Sequence, residues 1–393
     1  MNLAKLAHRV RTKALITASF LPNPVRAITF QEAKQWQNAI DCWQSDISRR
    51  GMNSKNLLGL VTNLMAMRRT QEIVDVMATA KFELDPPLLF KLAEAQQRLG
   101  QHENSEATYA LSIERMTDAS ELQKALVRAH SQMHLLPERI ALAAWVEGNY
   151  SQIKNVAAEF EPRTTSPERV FVFWSQGFST APKIVQACLR QLQRVVAPES
   201  LAVLTKDNLA KTIYLPKLFA KVEKRYPAHY SDVLRAALLS KFRGAWLDAT
   251  VWASSDPLAI SGESDFFTFR YEGARMASWF MTAGENAKTP QLLYAALIVY
   301  WMQHKKLNDY FLLHNIFEIL YYLDESVRAE WDAAVKQSAV PCNQLGGRLL
   351  WQPYDQEALS KVLAKHPVQK LTYKPGSRNA GPGTLFRHLA DSI

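Results

Sequence analysis

The stretch HYSDVLRAALLSKFRGAWLDATVW, His229 to Trp252, decides how the rest of the chain is read. Its first part has helical spacing: Val233, Leu234, Ala237, Leu238 and Phe242 line one side, and His229, Asp232 and Arg235 recur every third position on another. Ser231 is the expected N-cap, which sets Asp232 in the first turn, where a carboxylate suits the helix dipole. Gly244 is expected to end the helix, and Ala245-Trp246-Leu247 reads as a short buried strand carrying Asp248 to its C-terminal edge. A helix-borne Asp and Arg thus come beside a strand-end Asp, at the edge where open α/β sheets bind ligands. Taken singly, each has a plainer reading. Asp232 and Arg235 can be a surface ion pair worth roughly a few tenths of a kcal/mol, and Asp248 a cap on the turn after the strand.

Together, Ser231-Asp232-x-x-Arg235, an apolar helix and Gly244-x-Trp246-x-Asp248-x-Thr250 resemble the donor-binding core of the capsular polysaccharide synthesis protein family. That family is similar to a wider group of nucleotide-sugar glycosyltransferases with Asp-x-Asp motifs, among them the initiating mannosyltransferases of yeast and the clostridial glucosylating toxins. The resemblance implies a GT-A-like nucleotide-sugar-binding domain of α/β class with a mixed sheet. It also implies transfer of a sugar with retention, Asp232, Arg235 and Asp248 in catalysis, and His229, Ser231, Trp246 and Thr250 around the donor. Mn²⁺ or Mg²⁺ on Asp248 would follow, since hard divalent ions take oxygen ligands. Here the second Asp of the motif is Thr250, a weak ligand, and Asp256 lies too far along the chain to replace it.

Composition bounds the rest. A chain of 393 residues with 48% hydrophobic and 21% charged residues has room for two well-buried cores. The net charge of +10 suits polyanionic partners such as nucleotide diphosphates or anionic lipid. Cys42, Cys188 and Cys342 are far apart and lack metal-ligand spacing, which argues for a reducing compartment and against a zinc site or a disulfide framework. The longest apolar run, Leu292 to Met302, is far too short to span a bilayer, so a cytoplasmic protein is expected.

Residues 1–30 carry Lys5, Arg9, Arg11, Lys13 and Arg26 without an acid. This basic amphipathic segment fits either the inner membrane surface or a neighbouring domain. From 31 to 150 only helical patterns occur, with breaks expected at Arg50-Gly51, Asp85-Pro86-Pro87 and Gly100. Trp36–Trp43, Thr70–Met77 and Gln101–Tyr109 echo one another at a period of about 34, and Lys91–Gly100 resembles the first helix of a tetratricopeptide repeat. An all-α, TPR-like set of helical hairpins is expected there, either docking a protein partner or bracing the second domain. A linker is expected at 151–168 and the GT-A-like domain over 169–393.

Arg169–Phe173 is apolar and β-rich, the expected first strand. Pro182 opens a helix to Arg194, and Leu201–Thr205 forms a second strand, the start of a parallel sheet. By resemblance, Trp174, Gln176 and Gly177 form the motif over the nucleotide, with Trp174 stacked on the base. Thr205, Asp207 and Asn208 end the second strand and reach base or ribose, although turn chemistry also explains them. Asp265–Arg270 is another strand; Trp279, in Ser278-Trp279-Phe280, corresponds to an acceptor-side motif of the family. Helices are expected at Pro290–His304 and Asp309–Leu323, and His314, within Asn308–His314, is a candidate for the phosphate or metal region or a buried histidine. Gln369–Lys374 reads as a strand before a basic Gly-rich loop; Lys370, Lys374 and Arg378 supply charge to a diphosphate or form a solvated tail.

The expected function is therefore transfer of a sugar from a nucleotide-diphosphate donor to a saccharide or lipid-linked saccharide of a bacterial surface polysaccharide. The alternative is a helical-repeat scaffold with a non-catalytic sugar- or nucleotide-binding module, which Thr250 keeps open. Nucleic acid is not an expected partner, because basic and aromatic residues do not interleave.

Overall fold

Gly51 and Gly100 adopt positive φ (80° and 76°) where helices stop, and Pro86 opens one, so the expected breaks punctuate a helical run. The structure, a computed structural model, describes residues 22–116, 120, 122–123, 136–160, 168–262, 264–271, 275–307, 309–378 and 380–391. Those up to Ala144 form one compact unit and those from Trp145 another.

In the first unit the helices are Asn23–Glu32, Trp36–Arg50, Ser54–Ala66, Thr70–Ala78, Pro86–Arg98 and His102–Glu114. Asn53 and Asn56 cap the third reciprocally, each side chain accepting the other's backbone N–H, and Asp85 caps the fifth ahead of Pro86. Ile40, Trp43, Leu57, Leu64, Ile73 and Leu88 from successive helices share one core. The last two helices make a hairpin: Ser105 Oγ donates to the Ala93 carbonyl, and Phe90 packs on Tyr109. Of the basic N-terminal segment, residues 1–21 lie outside the described residues.

The helix Leu136–Ala158 runs into the stretch expected to be a linker, of which 161–167 lie outside the described residues. Two contacts hold its second half in place. Trp145 Nε1 donates to Gln303 at 2.7 Å, and the Tyr150 hydroxyl donates to Asp324 at 2.5 Å. Within the stretch expected to be a linker, Phe160 stacks on Tyr294 with ring centroids 5.2 Å apart.

The second unit is α/β, built on a mixed five-stranded sheet in the order β2-β1-β3-β6-β5. The strands are β1 Arg169–Phe173, β2 Leu201–Leu204, β3 Gly244–Asp248, β5 Phe266–Arg270 and β6 Met276–Ala283. β1 is parallel to β2 and β3, while β6 runs antiparallel to β3 and β5. Two short strands, β4 Val251–Ala253 and β7 Val368–Lys370, pair antiparallel in a separate ribbon. Val170, Val172, Ala245, Leu247, Phe267 and Phe280 form much of the buried core around the sheet. Among the described residues no helix is long and apolar enough to cross a membrane.

Candidate functional site

The parallel register sets Phe173 opposite both Leu204 and Asp248, so three strands end level at one edge of the sheet. Trp174, Thr205 and Asp248 therefore share the C-terminal edge, where the sequence placed them. The helix Pro227–Lys241 packs beside β3 and is buried along most of its length. It starts before Ser231, because Pro227 occupies its first turn, where a missing N–H costs nothing and φ is already helical. Ser231 is thus a helical residue rather than the N-cap, its hydroxyl 3.5 Å from the Pro227 carbonyl. Gly244 does not end the helix either: Phe242 is already extended, and Gly244 is the first residue of β3.

His229, Asp232 and Arg235 are each more than nine-tenths buried, stacked along one face of that helix. Arg235 is the hub. Its Nε donates to the Ser231 carbonyl at 3.2 Å, its Nη1 to the Ser278 carbonyl and hydroxyl at 2.8 and 2.5 Å, and its Nη2 to Asp248 Oδ1 at 3.0 Å. Trp246 Nε1 donates to the same oxygen at 3.1 Å, and the guanidinium lies over the Trp246 ring. The other carboxylate oxygen of Asp248 accepts from Lys370 Nζ at 2.8 Å, and that ammonium also donates to Thr250 Oγ1 at 2.7 Å. Lys370 reaches this point because β7 pairs with β4 directly after Thr250: Val251 faces Lys370, and Leu371 N donates to the Thr250 carbonyl.

Burial alone would raise the Asp248 carboxyl, but Lys370 and Arg235 outweigh it and hold the group well below the usual carboxylate range. Asp232 is held more loosely, its oxygens 3.4 Å from Arg235 and 3.3 Å from His229. Both contacts are long for hydrogen bonds.

A divalent ion fits this donor set poorly. Both Asp248 oxygens are already taken by cationic or N–H donors, and Thr250 offers its hydroxyl to an ammonium. An added cation about 4 Å from a unit positive charge is repelled by several kcal/mol at the effective dielectric of a protein surface. Among the described residues no group of three or more His, Cys, Asp or Glu could hold a metal ion.

The other expected residues fall at varying distances from this cluster. Trp174 is half-buried, its ring edge-on to Tyr373 at 5.4 Å, and the exposed Lys374 ammonium lies over the Tyr373 ring. Gly177 takes φ 86° in the turn after Trp174, and Gln176 is exposed there. Thr205 is the N-cap of the helix Lys206–Thr212, and Asp207 is exposed in its first turn. The strand Leu201–Thr205 thus stops at Leu204, a residue early, because that helix begins.

Asn208 Oδ1 accepts from Thr205 N at 2.7 Å and its Nδ2 donates to the Val203 carbonyl at 2.9 Å, so backbone occupies both ends of its amide. Asn208→Ala is accordingly expected to lower stability by about 1 kcal/mol and leave nucleotide affinity unchanged. A melt and a nucleotide titration check this, and a loss of affinity would return Asn208 to the site.

Trp279 is buried against Phe269, with ring planes 16° apart, and it is the preceding Ser278 that meets Arg235. His314 is half-buried, edge-on to Phe311, in a helix that starts at Leu312 rather than Asp309. Asp309 instead accepts from Phe311 N and from the Asn315 amide. Asn308 lies outside the described residues. Arg378 packs over Trp351, away from Asp248 in sequence and in partners. Two residues beyond those expected join the site: Ser278, on Arg235, and Tyr310, whose ring is edge-on to His229 at 5.5 Å; both lie inside the Ser278–Phe280 and Asn308–His314 stretches.

Burial pushes the Cys188 and Cys342 thiols up to about 12, which leaves neither as a thiolate nucleophile near neutral pH. One cavity of about 290 Å³, lined by Phe269, Gln337, Cys342, His366 and Val368 among others, contains none of the candidate residues.

No curated protein matches the chain. Residues 128–389, more than half of the sequence and all of the sheet and cluster just described, match the capsular polysaccharide synthesis protein family. The chain belongs to that family, which places it in capsular polysaccharide synthesis.

Proposed function

We propose that the second unit is a GT-A-like glycosyltransferase that moves a sugar, with retention, from a nucleotide-diphosphate donor onto a growing surface polysaccharide. The observation that carries this reading is the chain Asp232–Arg235–Asp248–Lys370 at the common edge of β1, β2 and β3. Glycosyl transfer expels a nucleoside diphosphate, and its developing negative charge needs fixed positive charge aimed at the leaving oxygen. Lys370 supplies that charge at the strand edge, with Arg235 behind it. Asp232, loosely held, reads sugar hydroxyls through charge-assisted hydrogen bonds. Trp174, at the end of β1, offers an indole face to the base, and Tyr373 braces it. The helical hairpins of the first unit serve as a TPR-like docking surface for a protein partner.

The test is release of nucleoside diphosphate from a panel of UDP- and GDP-sugars, by wild type and by Asp232→Asn. Turnover with one donor is expected, reduced about 10- to 100-fold in the variant, the scale of one hydrogen bond to a charged group. No turnover with any donor, together with retained nucleotide binding, would instead support the non-catalytic binding module.

A further inference from the structure

A divalent ion held by the Asp-x-Thr motif would have to take its oxygen ligands from Asp248 and Thr250. Here an ammonium already contacts both. Lys370 Nζ lies 2.8 Å from Asp248 Oδ2 and 2.7 Å from Thr250 Oγ1, touching both ends of the Asp-x-Thr motif. We propose that the Lys370 ammonium, backed by Arg235, is a built-in replacement for the divalent cation, so that this site binds a nucleoside diphosphate without metal. The proposal rests on the nucleotide-sugar reading above and deepens it.

Three features of the geometry carry the inference. First, an ammonium has three donors, and Asp248 and Thr250 use two, leaving one for a phosphate oxygen. Second, the lysine is fixed by backbone rather than hung on a loop. β7 pairs with β4 in register, and the Lys370 carbonyl lies against Gly346, whose missing Cβ is what lets the strand approach. Third, Thr at position 250 is a poor metal ligand but a good acceptor for an ammonium, so the departure from Asp-x-Asp and the arrival of the lysine explain each other. Asp248 then has a different task from a metal ligand. It receives Arg235 and Trp246 on one oxygen and Lys370 on the other, and it is a positioning residue for the two cations. With Asp232 and Asp248 set against Arg235 and Lys370 the cluster is balanced, and the exposed Lys374, over the ring of the Tyr373 that packs on Trp174, adds a further positive charge.

The experiment is titration of UDP and GDP into the full chain, in EDTA and in Mn²⁺, for wild type, Lys370→Met and Lys370→Arg. The expected result is that one nucleotide binds wild type with affinities within about twofold in the two conditions. Lys370→Met is expected to weaken it at least tenfold in both, and Lys370→Arg to recover most of the loss. Wild-type affinity that rises tenfold or more with Mn²⁺ overturns the lysine assignment while leaving the glycosyltransferase reading intact. Binding by Lys370→Met as tight as wild type overturns it as well. Absence of binding by wild type in either condition overturns both readings. The wild-type comparison needs no variant to fold.

Discussion

Asp248→Ala is expected to destabilise the second unit by about 3 kcal/mol, a fall of about 6–12 °C in its melting temperature. The carboxylate neutralises two cations at once, and its removal leaves Arg235, itself 6% exposed in its side chain, facing Lys370 with no anion between them. The Trp246 indole N–H loses its acceptor in the same step. Breaking a buried pair commonly costs about 3–5 kcal/mol, and the lower end applies because Asp248 and Lys370 keep partial solvent access. The double variant Asp248→Ala with Lys370→Met is expected to regain part of the loss, because one of the stranded charges is then gone. A single-variant shift under about 2 °C would show that the ion pairs carry little stability.

The pH dependence follows from the depressed carboxyl, which burial alone would raise but Lys370 and Arg235 pull down. The folded state holds the proton less tightly than the unfolded chain, so the contribution is complete above the ordinary carboxylate value of about 4. It is lost as pH falls from there toward the folded value. The stability gap between wild type and Asp248→Ala should therefore be flat above about pH 5 and narrow below about pH 4. A gap that widens on acidification would contradict the cation pairing.

What could be read from sequence, and what could not, divides along local and non-local physics. β1 and β3 were legible because fully apolar runs such as Val170–Phe173 and Ala245–Leu247 suit a strand buried on both faces. The Asp232–Arg235 pair and Asp248 were legible because helical spacing and strand-end position are local properties. The helix starts ahead of the expected cap because Pro227 opens it with a φ that is already helical, although Ser231 is the better cap by residue type. Lys370 could not be separated from Lys374 and Arg378 by sequence. Only the pairing of β4 with β7, across more than a hundred residues, brings one of the three lysine and arginine side chains onto Asp248. The hydroxyl of Ser278 leaves no sequence mark beside the larger Trp279, because its contact with Arg235 exists only once β6 packs against the helix.

Gly244→Ala is expected to do more damage than any change at the cluster itself. Gly244 pairs in parallel register with Arg169 at the start of β3, and its φ of 129° lies where L-residues are strained. A Cβ there would meet backbone atoms of Arg169, with the amide nitrogen at 2.6 Å and the carbonyl carbon at 2.8 Å. No rotamer relieves a clash with main chain. β1 cannot retreat, because it is hydrogen-bonded between β2 and β3 and Arg169 N already donates to the Arg243 carbonyl. Strained φ and overpacking each cost about 1–3 kcal/mol, so a combined loss of about 3–6 kcal/mol falls on a domain whose whole stability is of the order of 5–15. Denaturant unfolding of the full chain should show the transition of the second unit moved to much lower denaturant or missing, with that of the helical first unit retained. Arg169→Ala in the same chain should rescue nothing, since the obstruction is backbone and not the arginine side chain. A Gly244→Ala protein within about 1 kcal/mol of wild type would mean that β1 and β3 do not meet in this register. Asp248 would then lose its place level with the ends of β1 and β2, and the cation pair it holds would no longer stand at the edge where a donor could reach it.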